Sequence, residues 1–199
     1  MRKLYLNILC LSSFLLLSLP ACYVKSEYQK LEDEELASGK VVNDLFLGFE
    51  LGMTSKEFYD KCWELNKEEL LRQTPANNAV EYRPKELNFP GRMTFYPRFH
   101  EDQIYELPVR VFYDGWSPWN KEQSVEVLHE DVKELMEDWF GEGFITVEHP
   151  NKGKAYVRVD GNRRISILAD EAEVKVIMTD LRVSKKLPPK SKPKPKQET

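Results

Sequence analysis

Residues that bind metals or form disulfides are scarce in this chain of 199 residues, which has only three cysteines and three histidines. His129-Glu130 begins like the helix of a zinc protease, but Lys133 occupies the position of the second histidine, so the zinc-ligand pair is missing. The acidic pairs Glu101-Asp102 and Asp170-Glu171 lack the spacing of a calcium-binding loop and are more typical of turns. The sequence therefore predicts neither a metal nor any other cofactor.

An excess of positive charge is also lacking. The chain has 29 Lys and Arg against 33 Asp and Glu, a formal net charge of −4 at pH 7. Six of the lysines fall in the last 15 residues, so the rest of the chain is more acidic than the total suggests. A surface that binds nucleic acid needs a concentrated basic patch. The acidic body therefore argues against a nucleic-acid partner.

A hydrophobic run long enough to span a membrane is the third absence. After Arg2 and Lys3, the segment from Leu4 to Pro20 carries no charge and is rich in leucine. It is shorter than the roughly 20 apolar residues that cross a hydrocarbon core about 30 Å thick, and it ends at a proline. A charged start followed by a short apolar run is typical of a secretory signal. We expect residues 1–21 to be a signal peptide that is removed.

The apolar run closes with Leu19-Pro20-Ala21-Cys22. A freely secreted protein has small residues three and one positions before its cleavage site, and Leu19 is too large for that pattern. The four residues resemble the lipobox of bacterial lipoproteins, in which leucine lies three residues before an invariant cysteine, although Pro20 departs from the usual residue at its position. The resemblance implies cleavage before Cys22 and attachment of a diacylglyceryl group and a further acyl chain, such as palmitate, to that residue. Two or three chains would hold the protein stably to a membrane.

The residues around Cys22 also bear on location. The lipobox resemblance implies a protein of the cell envelope. Tyr23 follows Cys22 where aspartate is the usual signal for retention at the inner membrane, which favours the outer membrane. Lys25-Ser26-Glu27 is faintly similar to the export signals of some surface lipoproteins, so the periplasmic and surface sides both stay open. Cys10 is lost with the signal and Cys22 is acylated, which leaves Cys62 without a partner for an intramolecular disulfide.

Composition divides the mature chain into three zones. Residues 22–44 are polar and acidic without sustained periodicity, and are predicted to be a lipidated tether. Residues 45–184 hold nearly all the aromatic and aliphatic side chains, enough for one domain with a core. Residues 185–199 are predicted to be a disordered Pro/Lys-rich tail. The tail either keeps the protein in solution or is attracted to anionic lipid head groups or cell-wall polymers.

Two helices are predicted in residues 45–184. Thr54 and Glu57 form a capping box for the first, whose apolar face carries Phe58, Cys62 and Leu65, and which ends by Pro75. The second lies between residues 118 and 141 and has acids on its other faces. Its apolar stripe consists of Val125, Leu128, Val132, Leu135 and Trp139.

Strand-like segments come after each helix. After the first helix they are 79–83, 92–99 and 104–114, and after the second they are 144–148, 154–160, 164–169 and 173–182. This order predicts an α+β fold made of two α-β-β-β units, about 45–115 and 116–184. The units would form one or more antiparallel sheets with the helices packed on one face.

The hairpin between the 154–160 and 164–169 segments has two candidate registers. A three-residue loop, 161–163, pairs Val159 with Ile165 and Asp160 with Arg164. A loop of 160–162 instead places Arg158 opposite Arg164. Like charges directly opposite each other are unfavourable, so the first register is predicted.

The start of the first helix carries a second resemblance. Leu51-Gly52-Met53-Thr54, followed by Glu57-Phe58, resembles the Gly-Met-Thr start of the first helix in the small lipoprotein subunit of the outer-membrane β-barrel assembly machine. Tandem modules of this kind also occur in the β-lactamase inhibitory protein. The resemblance implies that the domain binds other proteins through its sheet or loops and catalyses no reaction.

Candidate site residues are few. Cys62, with a histidine as base, is a possible nucleophile, but its place on the apolar face favours a small core residue. Tyr113, Trp116 and Trp119 flank a Gly/Pro turn. They form either an aromatic platform for a sugar face or partner side chain, or fillers that seal the junction between the two units.

The leading functional hypothesis is a non-enzymatic envelope lipoprotein that binds a protein or glycan partner and is held to the membrane through Cys22. One alternative is an envelope hydrolase using carboxylates from separate strands. Another is a structural role in envelope assembly. No catalytic residue is assigned, and the oligomeric state stays open.

Overall fold

The computed structural model describes residues 26–74, 79–149 and 153–188. The predicted signal peptide, the lipobox with Cys22, the helix limit at Pro75 and the tail from residue 189 lie outside the described residues. Four α-helices and two 3₁₀ turns are described. The helices are α1 (Glu27–Ala37), α2 (Ser55–Lys67), α3 (Val125–Phe140) and α4 (Leu181–Ser184), and the turns are Phe46–Gly48 and Lys121–Gln123.

The described strands form one antiparallel sheet of nine strands. They are β1 (Leu71–Gln73), β2 (Val80–Tyr82), β3 (Gly91–Phe95), β4 (Arg98–His100), β5 (Gln103–Tyr113), β6 (Ile145–His149), β7 (Gly153–Asp160), β8 (Arg163–Asp170) and β9 (Glu173–Asp180). The order across the sheet is β1-β2-β3-β5-β9-β8-β7-β6, and β4 pairs with β5 beside this path. The prediction of an α+β fold with an antiparallel sheet is confirmed. Pairing of β5 with β9 joins the strands that come after α2 to those that come after α3.

Helix α2 begins at the predicted capping box. The Thr54 hydroxyl accepts from the Glu57 backbone N–H, and the Glu57 carboxylate accepts from the Thr54 N–H at 2.8 Å. Phe58 and Leu65 are buried on the predicted face. After Lys67 the chain leaves the helix through Glu69, whose φ of 60° is left-handed.

Helix α3 carries the predicted stripe. Leu128, Val132 and Leu135 are buried as expected. Gly141, at φ 88°, stops the helix in a backbone conformation that favours glycine.

Helices α2 and α3 both contribute buried side chains to the main core cluster, together with residues of the sheet. Phe46, in the 3₁₀ turn before α2, stacks on Trp139 of α3 at 5.5 Å and meets Phe95 of β3 edge-on at 5.0 Å. Strand alternation supplies the sheet side of this core. Its members include Met93, Phe95, Val109, Val111, Val174, Val176, Met178, Ile165 and Ile167.

The β7–β8 hairpin differs from both predicted registers. It closes on two residues, Gly161 and Asn162, and therefore pairs Asp160 with Arg163 and Val159 with Arg164. The predicted register was one residue off because Arg163, which begins β8, was assigned to a three-residue loop. Asn162 is 1% exposed; its side-chain oxygen accepts the Val42 N–H at 2.7 Å, and its carbonyl accepts the Leu181 N–H. Residues distant in sequence thus hold the loop in place. The sequence of the hairpin alone does not contain these contacts, so it could not predict the two-residue loop.

A helix also lies where a tether was predicted. Ser26 and Gln29 form a capping box at the start of α1. Tyr28, Leu31 and Leu36 of α1 pack with Val157 and Val159 of β7 in a second, smaller core cluster. These valines alternate with residues that face α3, so α1 lies on the opposite face of the sheet. Polar residues outnumber apolar ones in α1, which is why its sequence shows no sustained periodicity.

The segment after α1 is fastened to the same hairpin. Gly161 donates its N–H to the Glu35 carboxylate at 2.8 Å, and the Lys40 ammonium lies 2.5 Å from the Asp160 carboxylate. A Cβ on Gly161 would lie 2.3 Å from the Lys40 carbonyl oxygen. Helix α1 and residues Glu35, Lys40 and Val42 therefore contact the domain, whereas residues 22–44 were predicted to be a tether.

Candidate functional site

An open groove of about 530 Å³ lies at the β1 edge of the sheet. Helix α2 forms one wall, and β1, β2 and the turn after β3 form the rest. The side chains that give it its character are Tyr59, Cys62, Trp63, Arg72 and Tyr96. We call this feature the aromatic groove.

The amphipathic geometry of α2 sets the aromatic wall. Phe58 points into the core and is 0% exposed, whereas the adjacent Tyr59 is 53% exposed. Trp63 lies one helical turn further on and is 64% exposed. Tyr96 contributes a third ring, 37% exposed, from across the groove. Contiguous exposed aromatic rings are typical of interaction surfaces, where Tyr and Trp contribute most binding energy.

A hydroxyl pair ties the two sides of the groove together. The Tyr59 and Tyr96 hydroxyl oxygens lie 2.6 Å apart. This hydrogen bond, followed by burial, raises the pKa of Tyr96 above its ordinary value. Tyr96 also meets Phe58 edge-on at 6.1 Å. The rings are thus held in place before any ligand arrives, which lowers the entropic cost of binding.

The rim of the groove supplies positive charge and hydrogen-bond donors. The Lys67 ammonium lies 5.5 Å from the centre of the Trp63 ring. Arg72 and Gln73 are exposed on β1. The Asn66 amide donates to the Leu71 carbonyl at 2.8 Å, which fastens β1 to α2. The groove therefore combines an apolar aromatic floor with polar groups at its edge.

Strand β1 also presents backbone groups at the open edge. The Thr74 N–H donates to the Ala79 carbonyl at 2.9 Å, so Thr74 turns toward the neighbouring strand. Successive residues of an antiparallel strand turn their backbone groups to opposite sides. Gln73 therefore directs its N–H and C=O away from β2. An extended segment lying in the groove could pair with them, as peptides do at sheet edges.

Cys62 lies in the groove but is not set up as a nucleophile. Its side chain is partly buried, and burial raises the pKa of the thiol to about 11. The thiolate, which is the reactive species, is therefore scarce at neutral pH. This geometry agrees with a small residue packed against the core beside the aromatic groove.

In the structure, Tyr113 is buried and is therefore separated from the two exposed tryptophans with which it was grouped. Tyr113 is 2% exposed, packs edge-on against Phe89 and donates its hydroxyl to Asp131 at 2.5 Å. It is a core residue that a ligand cannot reach. Trp116 is 39% exposed and Trp119 is 84% exposed in residues 114–120, which we call the aromatic loop. An indole as exposed as that of Trp119 does not seal a junction.

Two buried carboxylates, Glu32 and Glu106, line another pocket of about 410 Å³. Glu32 lies 2.9 Å from Arg164, and Glu106 lies 3.0 Å from Arg98. Each acid is held by its own arginine, which is the geometry of structural ion pairs rather than of two acids sharing a proton. Among the residues that the structure describes, no group of three His, Cys, Asp or Glu side chains is placed to hold a metal.

The sequence patterns predicted an aromatic surface around Tyr113, Trp116 and Trp119 and did not predict the aromatic groove. A signal was present: Tyr59 and Trp63 lie one turn apart on the polar side of α2, off its apolar face. Tyr96 is 37 residues from Tyr59 in the sequence and lies beside it only in the folded structure. In the described part of the chain, no helix is long and apolar enough to cross a membrane.

Comparison with known proteins finds no matching family model, no similar curated sequence and no similar solved structure. The resemblances to a lipobox and to the Gly-Met-Thr helix start therefore stay predictions.

Proposed function

We propose that this chain is a lipid-anchored protein of the bacterial cell envelope, attached through Cys22 at the outer membrane. Its α+β domain is a non-enzymatic binding module that takes an extended segment of a partner protein into the aromatic groove. The observation that supports this most is the group of three exposed rings, Tyr59, Trp63 and Tyr96, beside an edge strand. A protein segment fits the groove because apolar side chains can lie on the rings while its backbone pairs with Gln73.

We also propose that the domain consists of two related α-β-β-β units, with α2 and α3 as the equivalent helices. In support, each helix starts at a hydroxyl N-cap, Thr54 or Ser124, and precedes antiparallel strands. The longest strand of the first half, β5, pairs with the last strand of the second half, β9. Both helices pack into the main core cluster.

Paired double variants test the groove against the aromatic loop. The mature-length chain is used to capture partners from envelope extract. It carries Cys22→Ser so that it can be handled without lipid. Tyr59→Ala/Trp63→Ala should abolish capture, whereas Trp116→Ala/Trp119→Ala should leave it unchanged. All four side chains are exposed, so their removal should change stability little. Equal capture by the groove variant and the parent would overturn the proposal.

A glycan is the competing ligand for the same rings, because sugar faces also stack on Tyr and Trp. Oligomers of N-acetylglucosamine, added to the Cys22→Ser chain, should leave its tryptophan fluorescence unchanged. Protease treatment of the extract should remove the captured material. Saturable fluorescence quenching that Trp63→Phe alters would assign the groove to a glycan instead.

A further inference from the structure

Among the residues that the structure describes, Arg72 of β1 is the one arginine without an acidic partner. It is exposed, and it is the only charged residue in the described lining of the aromatic groove. Each other described arginine has a carboxylate oxygen within 3.6 Å. These are Arg83, Arg92, Arg98, Arg110, Arg158, Arg163, Arg164 and Arg182. The guanidinium of Arg72 is therefore available to an anionic group from outside the chain.

The acidic residues of the flanking elements do not neutralise Arg72. Glu81 of β2 is its partner in the strand register, but the Glu81 carboxylate lies 3.0 Å from Nε of Arg83. Glu68 and Glu69 follow α2, are exposed, and lie outside the groove lining. The described chain thus supplies no carboxylate for Arg72, whereas a bound partner can.

The alternation of β1 places Arg72 and Gln73 on opposite faces of the sheet. Gln73 pairs with Val80, which pairs with Phe95. Val80 and Phe95 pack in the main core cluster with Phe58 of α2, so Gln73 lies on the face that α2 covers. A partner residue opposite Gln73 would turn its side chain toward the rings of the groove, and its neighbour would turn to the face of Arg72.

The backbone of β1 limits where a partner segment can pair. The Leu71 carbonyl accepts from the Asn66 amide at 2.8 Å, so that part of the edge is occupied. Gln73, two residues further on, presents its backbone groups to the same side. Pairing at Gln73 therefore fixes which partner residue lies beside Arg72.

We propose that the partner segment carries an acidic residue directly next to the apolar residue that lies on the rings, and that this acid pairs with Arg72. The inference rests on the proposed function, because it needs an extended segment in the aromatic groove. Opposite residues on neighbouring strands have Cβ atoms about 4.5–5.5 Å apart, which an arginine and a carboxylate can bridge. The rings then supply the apolar contact, and Arg72 selects among apolar segments by their charge.

Peptide selection on the mature-length Cys22→Ser chain tests the proposal. The probe is a library of short random peptides with blocked termini, so that every carboxylate belongs to a side chain. The parent should enrich an apolar or aromatic residue directly next to Asp or Glu. Arg72→Gln should keep the apolar preference and lose the acidic one, and Arg72→Glu should select Lys or Arg at that place.

The matched control is Lys121→Gln, which removes one positive charge from an exposed residue outside the groove. It should select the same peptides as the parent. Fluorescence anisotropy with one enriched peptide then measures the ion pair. Replacing the acid of the peptide by its amide should weaken binding to the parent about two- to fivefold, as for an exposed ion pair, and should leave binding to Arg72→Gln unchanged.

The outcomes separate this inference from the proposed function. Enrichment of apolar peptides without an acid, or the same acidic preference in Arg72→Gln, would overturn the inference and leave the proposed function standing. Selection only from a second library with free C-termini would assign Arg72 to a terminal carboxylate, which also overturns it. If no enrichment is lost in Tyr59→Ala/Trp63→Ala, the proposed function fails and the inference fails with it.

Discussion

His129 lies on α3 outside its predicted apolar stripe, and the fold makes it a buried titratable group. The histidine is 5% exposed, its ring lies 4.9 Å from the Tyr156 ring, and Nε2 is 3.4 Å from the Ile167 carbonyl oxygen. Burial lowers the pKa of His129 below its ordinary value, outweighing the hydrogen bond and Glu130, which raise it. The helix sequence alone does not predict this burial, because the contacts with Tyr156 of β7 and Ile167 of β8 form only in the folded protein.

The lowered pKa of His129 predicts a loss of stability in mild acid. Because the unfolded chain takes up the proton first, the stabilisation is complete above the ordinary histidine pKa of about 6.5 and is lost as the pH falls toward the folded pKa. The free energy of unfolding, measured in urea, should therefore decrease from pH about 7.5 to about 5. His129→Phe should reduce that decrease, and His100→Phe, at an exposed histidine, should not. The same pH dependence in His129→Phe and the parent would contradict the assignment.

Tyr113 shows a residue whose burial could have been foreseen. It continues the alternation of Val109 and Val111 in β5, and all three are buried on the same face. Because a Gly/Pro turn follows Tyr113, the residue was grouped with Trp116 and Trp119 as a possible aromatic platform. Trp116 and Trp119 come after the strand ends, where alternation no longer applies, and both are exposed.

At the scale of elements, local signals predicted helices α2 and α3, whereas α1 and α4 were not predicted. The Thr54 capping box and the glycine stop at Gly141 act within one helical turn, so they are readable in a short window of sequence. The register of the β7–β8 hairpin was predicted wrongly. Its two-residue loop places Arg158 and Arg164 on opposite faces, which removes the like-charge argument used to choose its register.

Two glycines distinguish backbone strain from steric contact: Gly39 follows α1, and Gly161 lies in the β7–β8 loop that the segment after α1 contacts. Gly39 and Gly161 both have left-handed φ, 71° and 57°. A Cβ on Gly39 meets nothing within 4 Å, whereas one on Gly161 collides with the Lys40 carbonyl oxygen. Gly39→Ala should cost about 1 kcal/mol in free energy of unfolding. Gly161→Ala should cost a further 1–3 kcal/mol or so, because the backbone of residues 40–42 must move.

Urea unfolding of both glycine variants measures the difference. If Gly161→Ala costs no more than Gly39→Ala, residues 38–44 are not packed on the hairpin.

For the whole molecule, the N-terminal segment belongs to the folded body. Helix α1 covers Val157 and Val159, which no sequence pattern connects to it. Deleting residues 23–37 from the Cys22→Ser chain should lower the free energy of unfolding by about 3 kcal/mol or more, since each side chain that loses its cover costs about 1.5–3 kcal/mol.

Deleting residues 189–199 is the matched control and should leave stability within about 0.5 kcal/mol of the parent. Urea unfolding of the two deletions compares them directly. Unchanged stability without α1 would restore the predicted tether.

Features that depend on neighbouring residues were determined by the sequence alone: the signal-like start, the acidic body, the helix caps, most strands and the α+β class. Contacts between distant residues decided the rest. Gly161 donates to Glu35 across 126 positions, and Tyr59 meets Tyr96 across 37. Capping and periodicity act over one or two turns, so a single sequence reports them. Which surfaces meet depends on burial of the whole chain, and only the tertiary structure placed α1 on the sheet and assembled the aromatic groove.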